Sequence, residues 1–478
     1  MFAKFLCFEK IFAMFNRLLF IVFFASVGLF AKAQQQNFEQ IFQERVKCSV
    51  VVKYTIELEE DRKQEYVVGT IVDDNGLVML SPSVMLNSFR HDELKDFKVF
   101  FYGGDVDGYP AEYLGADSVS KINFIRIKNG LPKDRIPISK FKTAKLSRGD
   151  CVWGVGFYSD EMLFEPILMR SYVQDIGKRP LDMASTAEAV SASGGVVFNQ
   201  NGDFVGWGYG VYVAQYNLYA ADIKGLPVSL ALPNSSDKIV LPNEINDILK
   251  YVPSNPAGDN HAWLGIINMS VLKRDVAKMM GIENHQAFLI SDIIKDSPAD
   301  KGGLKKGDII VGINGKNFEL IAGGDYALYN FSKQYVRLKK GDKIKLSVIR
   351  GADAPKDFEI TLGESPKTIR QSQTKYFKRI GFSIREFLLD DAIELKAISK
   401  KIEQPVVKYV KPNSPAQSAM PSKLAVGDII KEINSKPIKN YAQAVEELKK
   451  INDDASVKSL VILAEDFKET KVIRIKLD

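Results

Sequence analysis

The chain has 478 residues and therefore predicts about three domains, because a single hydrophobic core stops growing near about 250–300 residues. Hydrophobic residues make up 46% and charged residues 26% of the chain, a composition typical of folded proteins that excludes extended disorder. The formal net charge of +6 is small, and no basic stripe with interleaved aromatic residues occurs, so nucleic acid is not an expected partner.

The first 33 residues predict a secretory signal peptide. The run Leu18–Phe30 is 13 residues long and uncharged, follows basic residues, and is shorter than the roughly 20 residues that a bilayer requires. Small residues flank Lys32, as signal peptidase requires. We expect export and cleavage near Ala33, with a retained membrane anchor as the alternative and either Met1 or Met14 as the start.

From about residue 43 to residue 212, the sequence predicts an all-β domain. Apolar runs such as Cys48–Ile56, Phe97–Phe101 and Cys151–Phe157 are separated by turn residues, for example at 73–76. Because no helical period lies between these runs, we expect a barrel or a sandwich of short strands.

The cysteines leave two alternatives open. Removal of the signal peptide leaves Cys48 and Cys151, which an oxidising compartment can join. Both lie in apolar runs, so two buried free thiols are at least as well supported. No metal-ligand spacing occurs in the sequence, and we expect neither a metal nor a cofactor.

Turn-forming residues are concentrated between about residues 230 and 260, which is typical of a linker. Within this stretch, Ile245, Ile248 and Leu249 recur at helical spacing, so Pro242–Tyr251 predicts a short connecting helix. We therefore expect the first domain to occupy residues 34–229 and the linker residues 230–260.

An internal repeat decides the architecture of the second half. The segment Ser297-Pro298-Ala299, followed by Gly307-Asp308-Ile309-Ile310, recurs as Ser414-Pro415-Ala416, followed by Gly427-Asp428-Ile429-Ile430. Ser and Pro start a helical turn, and Gly-Asp forms a turn that leads into a buried strand. We expect two copies of one domain, at residues 261–365 and 366–478.

This repeat resembles the PDZ domain in its bacterial form, and the two copies are named PDZ domain 1 and PDZ domain 2 below. The resemblance implies a loop that receives a peptide C-terminus, because backbone N–H groups converge there on the carboxylate while glycine permits close approach. The next strand then pairs with the extended peptide. In the alternative, each glycine only permits a bulge. The expected loop residues are Trp263, Leu264, Gly265 and Ile266 in PDZ domain 1, and Arg379, Ile380, Gly381 and Phe382 in PDZ domain 2.

A β domain followed by two PDZ domains in an exported chain resembles the HtrA/Deg (Do-like) family of trypsin-like serine proteases. Three segments carry this resemblance, at residues 69–80, 114–127 and 191–206, and the third is the most specific. The resemblance implies a mainly β fold, with a trypsin-like double β-barrel followed by two PDZ domains of mixed α and β structure. It also implies a periplasmic location and a homo-oligomer, either a trimer or a larger assembly.

Compared with the family pattern, the catalytic triad of this chain is incomplete. Ser193 stands at the position of the nucleophile, but Ser83 stands at the position of the histidine and Lys121 at that of the aspartate. Loss of the triad base costs on the order of 10⁶ in turnover. Ser191 replaces a glycine before the nucleophile, so the oxyanion hole is in doubt as well. The sequence therefore predicts a pseudoprotease.

Two alternatives keep the chain an enzyme. Lys121 can serve as the base for Ser193 only if burial lowers its pKa by several units. His91, one of three histidines, lies shortly after the expected position of the catalytic histidine, although a solvated loop is its simpler interpretation.

The predicted function is that of an exported scaffold that binds unfolded or C-terminal peptide segments of envelope proteins. The resemblance also suggests that such a protein binds an active paralogue and regulates it. The first alternative is an active serine endopeptidase in periplasmic protein quality control. In a second alternative, the PDZ domains bind only each other.

Overall fold

A computed structural model describes residues 38–82, 89–104, 107–178, 181–218, 228–258, 261–321, 324–396, 402–466 and 469–477. The expected signal peptide at residues 1–33 and Ser83 lie outside the described residues. Within these ranges, no helix is both long enough and apolar enough to span a membrane.

Two closed barrels of antiparallel strands form the first domain, after a helix at residues 38–45, α1. Barrel 1 contains β1 (Ser49–Glu57), β2 (Arg62–Ile71), β3 (Leu77–Leu80), β4 (Leu94–Phe100), β5 (Tyr109–Ala116) and β6 (Asn123–Ile127), and barrel 2 contains β7 (Cys151–Phe157), β8 (Pro166–Lys178), β9 (Asp182–Thr186), β10 (Val196–Asn199), β11 (Phe204–Leu218) and β12 (Val228–Val240). Neighbouring strands follow the order β1-β2-β3-β6-β5-β4 in barrel 1 and β10-β11-β12-β9-β8-β7 in barrel 2. The expected mainly β double barrel is confirmed.

The three strands predicted from apolar runs are present as β1, β4 and β7, within a few residues of their expected bounds. The turn at residues 73–76 connects β2 to β3, and Gly76 in this turn has a φ of 75°. Cys48 is buried and Cys151 is half-buried, and both are free thiols.

The linker begins later than composition predicts. β12 pairs with β11 and β9 and closes barrel 2, so the expected domain boundary at residue 229 is wrong. Pro233 has no backbone N–H to donate, and it falls at a register shift between β11 and β12, where the ladder is interrupted. The expected helix is present as α2 (Pro242–Ile248), followed by a 3₁₀ turn at Leu249–Tyr251.

PDZ domain 1 contains β13 (Ala262–Trp263), β14 (Ile266–Val271), α3 (Arg274–Met279), β15 (Phe288–Ile293), α4 (Pro298–Lys301), β16 (Ile309–Ile313), β17 (Lys316–Asn317), α5 (Gly324–Val336), β18 (Lys343–Ile349), β19 (Lys356–Thr361) and β20 (Gly363–Glu364). Its main sheet has the order β14-β15-β16-β18-β19. In β18, buried Ile344, Leu346 and Val348 alternate with exposed Lys343 and Lys345, which is the period-two pattern of a half-buried strand.

PDZ domain 2 shares the order of the main strands. It follows a 3₁₀ turn at Ile369–Gln371 and contains β21 (Thr374–Phe377), β22 (Phe382–Arg385), α6 (Leu389–Glu394), β23 (Val406–Val410), β24 (Met420–Pro421), β25 (Ile429–Ile433), β26 (Lys436–Pro437), α7 (Tyr441–Asp453), β27 (Ser459–Glu465) and β28 (Thr470–Lys476). Helix α7 starts at the N-cap Asn440, whose side chain accepts a hydrogen bond from the Gln443 backbone N–H. Its buried Ala444, Leu448 and Ile451 lie on one face and pack into the domain core.

Candidate functional site

Ser193 lies in the turn that leads into β10, at the junction of the two barrels. Its side chain is exposed, and its hydroxyl donates a weak hydrogen bond of 3.3 Å to the backbone carbonyl of Tyr209. The next residue, Gly194, has a φ of 96°, and a Cβ there would lie 2.2 Å from the Val68 carbonyl oxygen. The turn therefore requires glycine at 194 because barrel 1 approaches it closely.

The Gly194 carbonyl also joins the two barrels. It accepts a 2.8 Å hydrogen bond from the Thr70 hydroxyl of β2, and the Thr70 oxygen in turn accepts one of 3.1 Å from the Trp207 indole N–H. Thr70 and Trp207 are both fully buried. This network holds the Ser193 turn in place whether or not Ser193 has a chemical role.

Ser191 also belongs to this turn, and its side chain is buried. Its hydroxyl has no hydrogen-bond partner in the described part of the chain. Within the same part, the backbone N–H groups of Ser191 and Ser193 donate to no protein acceptor. In trypsin-like enzymes these two positions supply the oxyanion donors, so the serine at 191 does not by itself remove those donors.

Lys121 begins the segment that enters β6, and its backbone is left-handed, with a φ of 59°. The residue is exposed by surface area, yet desolvation of its amine lowers the pKa of Lys121, and the positive charge of Arg370 lowers it further. Asp117 opposes the shift. The direction of this shift is the one that a lysine base requires.

Tyr209 connects the Ser193 turn to the Lys121 segment. Its backbone carbonyl accepts the Ser193 hydroxyl, and its own hydroxyl donates a 2.9 Å hydrogen bond to the Ser120 carbonyl. Burial, with the nearby charge of Asp117, raises the pKa of Tyr209 to about 12, so its hydroxyl stays protonated at neutral pH. The structure thus brings Ser193 and Lys121 to one region through this residue.

Asp117 is a buried carboxylate beside this region, and it is 2% exposed. Its Oδ2 accepts 2.7 Å hydrogen bonds from the backbone and the hydroxyl of Ser120. Arg337, which follows α5 of PDZ domain 1, forms a 3.2 Å ion pair with Asp117 and a 2.9 Å ion pair with Asp247. The Arg337 guanidinium also stacks 4.0 Å from the Tyr251 ring. PDZ domain 1 is therefore docked onto the segment that carries Lys121.

His91 lies elsewhere. It begins the 3₁₀ turn His91–Glu93 and lines a cleft of about 800 Å³ whose described walls come mainly from barrel 1 and include neither Ser193 nor Lys121. The His91 Nδ1 is buried and has no partner among the described residues. The structure does not bring His91 to Ser193, so the alternative with a recruited histidine gains no support.

The loop expected to bind peptide in PDZ domain 1 is well defined. Leu264 is fully buried, and Gly265 has a φ of 84°. A Cβ at Gly265 would lie 2.2 Å from the Cβ of Ser297. The sequence interpretation attributed this glycine to the approach of a ligand, whereas the structure gives a different reason, the packing of the loop on the Ser-Pro-Ala turn.

The edge beside this loop is open. Among the described strands, β14 pairs only with β15, so its other edge carries unpaired backbone groups. The N–H groups of Leu264 and Gly265 donate to no acceptor in the described residues. An edge strand next to free loop N–H groups is the geometry that receives an extended peptide with a terminal carboxylate.

In the corresponding loop of PDZ domain 2, a backbone N–H group is already hydrogen-bonded within the domain. The Gly381 N–H donates a 2.7 Å hydrogen bond to the Phe377 carbonyl, and Ile380 and Phe382 are fully buried. The Arg379 guanidinium donates to backbone carbonyls at the end of α7 and just beyond it. Gly381 meets Ser414 as Gly265 meets Ser297, with a Cβ separation of 2.3 Å.

Sequence reasoning missed Asp117, Tyr209, Tyr329 and Arg337 as residues of this region. Tyr329 of α5 packs against the core of the barrels, and burial raises its pKa well above the usual range. Asp117 gave a signal, as an acidic residue at the end of an apolar run. Arg337 gave no signal in the sequence, because it lies 220 residues from Asp117, its ion-pair partner.

Comparison with known proteins yields relatives along most of the chain. The family model described as the PDZ domain matches residues 289–326. A probable periplasmic serine endoprotease DegP-like of Ectopseudomonas mendocina is 26% identical over 394 residues, which cover 80% of this chain and 74% of the relative. The periplasmic serine endoprotease DegP of Salmonella typhimurium is 27% identical over 357 residues, which cover 72% of this chain and 64% of the relative.

Solved structures of HtrA-type and other serine endoproteases also match this chain. The HtrA-type protease AlgW with a decapeptide matches at 14% identity and a TM-score of 0.48, covering 69% of this chain and 99% of that chain. A serine endoprotease from Yersinia pestis matches at 14% identity and a TM-score of 0.47, covering 69% of this chain and 98% of that chain.

Proposed function

Because this chain belongs to the HtrA/Deg family, we propose that it is a periplasmic peptide-binding scaffold whose protease domain no longer cleaves. Its ligand is an extended segment of an unfolded or C-terminally exposed envelope protein, and it enters PDZ domain 1. The observation that carries this proposal is the open edge of β14 beside the loop Trp263–Ile266.

Two features of this loop support a ligand with a free carboxylate. The unpaired N–H groups of Leu264 and Gly265 favour an anion, and the β14 edge offers main-chain hydrogen bonds to any extended sequence. Main-chain hydrogen bonds depend little on the side chains of the peptide. A scaffold of this kind can therefore bind many unfolded segments rather than one partner.

The absence of a triad base supports the loss of proteolysis. Ser193 donates to a carbonyl oxygen, which takes no proton, and the family's histidine and aspartate positions hold Ser83 and Lys121. A hydroxyl at position 83 does not accept a proton near neutral pH, and loss of the base costs on the order of 10⁶ in turnover.

A second candidate function is an active serine endopeptidase with Lys121 as the base for Ser193. The observation that favours it is the lowered pKa of Lys121, together with the two N–H groups that can hold an oxyanion. In this case Lys121→Met removes activity as completely as Ser193→Ala does.

Degradation of reduced casein by the purified chain lacking residues 1–33, beside its Ser193→Ala variant, separates the two functions. The scaffold predicts no cleavage above background by either protein. Cleavage by the wild type that is lost in Ser193→Ala contradicts the scaffold, and Lys121→Met and His91→Gln then identify the base.

Peptide binding tests the scaffold directly. Fluorescence anisotropy of a labelled extended peptide is compared with that of the same peptide carrying a C-terminal amide. We expect the amide to bind at least about tenfold more weakly, because it removes the charge that the loop N–H groups accept. Equal affinity for the two peptides, or no binding of either, contradicts the proposed site.

A further inference from the structure

In PDZ domain 2, the strand next to the expected peptide edge comes from the chain itself. β21 pairs antiparallel with β22 along its whole length, from the pair Thr374 and Arg385 to the pair Phe377 and Phe382. The turn between the two strands, at residues 378–381, is the expected carboxylate loop. β21 therefore runs along β22 in the direction of a bound peptide, with its C-terminal end at the loop.

PDZ domain 1 provides the comparison. There the strand before the loop, β13, pairs with β20 and leaves the edge of β14 open. Helix α5 lies beside both β14 and β13, whereas the equivalent helix α7 lies beside β21. The two domains share the order of their main strands, so this difference concerns the groove between helix and edge strand rather than the fold.

The side chains of β21 fill this groove as those of a ligand would. Phe377, next to the loop, is 1% exposed and belongs to the core of PDZ domain 2, where its ring lies 5.9 Å from that of Phe382. Its carbonyl accepts the Gly381 N–H, which an outside carboxylate would otherwise contact. Lys375, by contrast, is exposed.

We infer that β21 is a built-in ligand of PDZ domain 2, and that the groove accepts an outside peptide with a C-terminal phenylalanine only when β21 leaves. This inference rests on the proposed function in assuming that an extended peptide binds at the edge strand of a PDZ domain. Its evidence, however, comes from PDZ domain 2 alone. PDZ domain 1 is then the permanently available site, and PDZ domain 2 is a site closed in cis.

The connection between β21 and β22 makes this closure effective. A ligand held through a short link acts at a local concentration of about millimolar or above. A peptide added at about 10 μM therefore competes at a disadvantage of roughly a hundredfold, even if its own contacts equal those of β21.

The test uses the full chain without residues 1–33 and a nine-residue peptide that copies residues 369–377 with a free carboxylate and a photoreactive group near its N-terminus. Crosslinks are mapped by mass spectrometry to PDZ domain 1 or to β22 and α7. Lys375→Pro unpairs β21, because proline removes a backbone N–H and resists the strand ladder. Lys375→Thr is the matched control, since threonine retains the N–H and favours a strand.

We expect crosslinks to β22 and α7 to be near background in the wild type and in Lys375→Thr, and to rise at least about tenfold in Lys375→Pro. A peptide ending in aspartate instead of phenylalanine should lose this gain. Hydrogen exchange confirms that residues 374–377 are released, and Tyr376→Pro replaces Lys375→Pro if they are not.

Two results overturn the inference. One is strong crosslinking of β22 and α7 already in the wild type, and the other is no gain in the proline variant although residues 374–377 exchange freely. The absence of crosslinks to PDZ domain 1 in every protein contradicts the proposed function instead, so the two failures are distinguishable.

Discussion

At Gly265 and Gly381, the requirement for glycine comes from a serine of the same domain. Each glycine has a left-handed φ, and a Cβ on either one would overlap the side chain of Ser297 or Ser414. The loop of each PDZ domain and its Ser-Pro-Ala turn are therefore one packing unit. This explains why the two motifs occur together in both copies of the repeat.

Substitution of these glycines by alanine tests this packing. We expect Gly265→Ala and Gly381→Ala to destabilise their own domains by about 2–5 kcal/mol, since a left-handed φ costs about 1–2 kcal/mol and overpacking about 1–3 kcal/mol. Gly307→Ala and Gly427→Ala are matched controls with a φ of 92° and 94° and no atom within 4 Å, so we expect about 1–2 kcal/mol. Hydrogen exchange of core amides measures each domain, and equal losses at all four positions contradict the packing argument.

At the level of single elements, α5 connects PDZ domain 1 to the barrels. It borders the β14 edge on one side, and through Tyr329 and the following Arg337 it packs on the barrels on the other. Lys333 of the same helix pairs with the buried Glu244 of α2. A peptide that binds at the β14 edge would therefore contact a helix that is connected, through Arg337, to Asp117. Asp117 lies four residues before Lys121.

Removal of the Arg337 charge is expected to weaken this docking. Arg337→Met leaves the buried Asp117 without its ion pair, although Ser120 retains two hydrogen bonds to it, so we expect a loss of about 2–4 kcal/mol. Lys340→Met is the matched control, because its pair with Glu364 is exposed and contributes below about 1 kcal/mol. Thermal unfolding and exchange at residues 117–122 provide the measurement. Equal effects of the two substitutions exclude a docking role for Arg337.

At the scale of the whole molecule, PDZ domain 2 contacts the turn between β1 and β2 of barrel 1. Glu59 accepts a 2.8 Å hydrogen bond from Ser383 and pairs with Lys408 at 3.0 Å, and Glu60 pairs with Lys411 at 2.9 Å. Burial opposes ionisation of Glu59, but the Ser383 and Lys408 contacts outweigh it and lower the pKa of Glu59 below its usual 4.5. The Tyr376 hydroxyl and Lys411 lower the pKa of Glu60 in the same direction.

These shifts predict that the docking of PDZ domain 2 depends on pH. Because both pKa values are lower in the docked state, the stabilisation is complete above the usual pKa of 4.5 and is lost as the pH falls further. We expect the radius of gyration from small-angle X-ray scattering to increase below about pH 4.5. The double variant Glu59→Gln and Glu60→Gln should lose this dependence, whereas Glu359→Gln, in an exposed pair within PDZ domain 1, should keep it. A wild-type radius that is constant down to pH 3 contradicts this docking.

The local elements and the order of the domains follow from the amino-acid sequence. Short apolar runs between turn residues, without a helical period, predicted β1, β4 and β7. The repeat around Ser-Pro-Ala and Gly-Asp predicted two copies of one domain. The position of Ser193 in its turn followed from local glycine chemistry in the same way.

Which strand edges are free and which charges are buried depends on how distant segments pack together. β21 and β13 precede similar loops, yet β21 pairs with the edge strand β22 whereas β13 pairs with β20, at the other end of its domain. The Asp117 ion pair and the extension of barrel 2 through β12 likewise depend on contacts between distant segments. A sequence specifies the groups that each residue offers, and the fold specifies which of them remain available to a ligand.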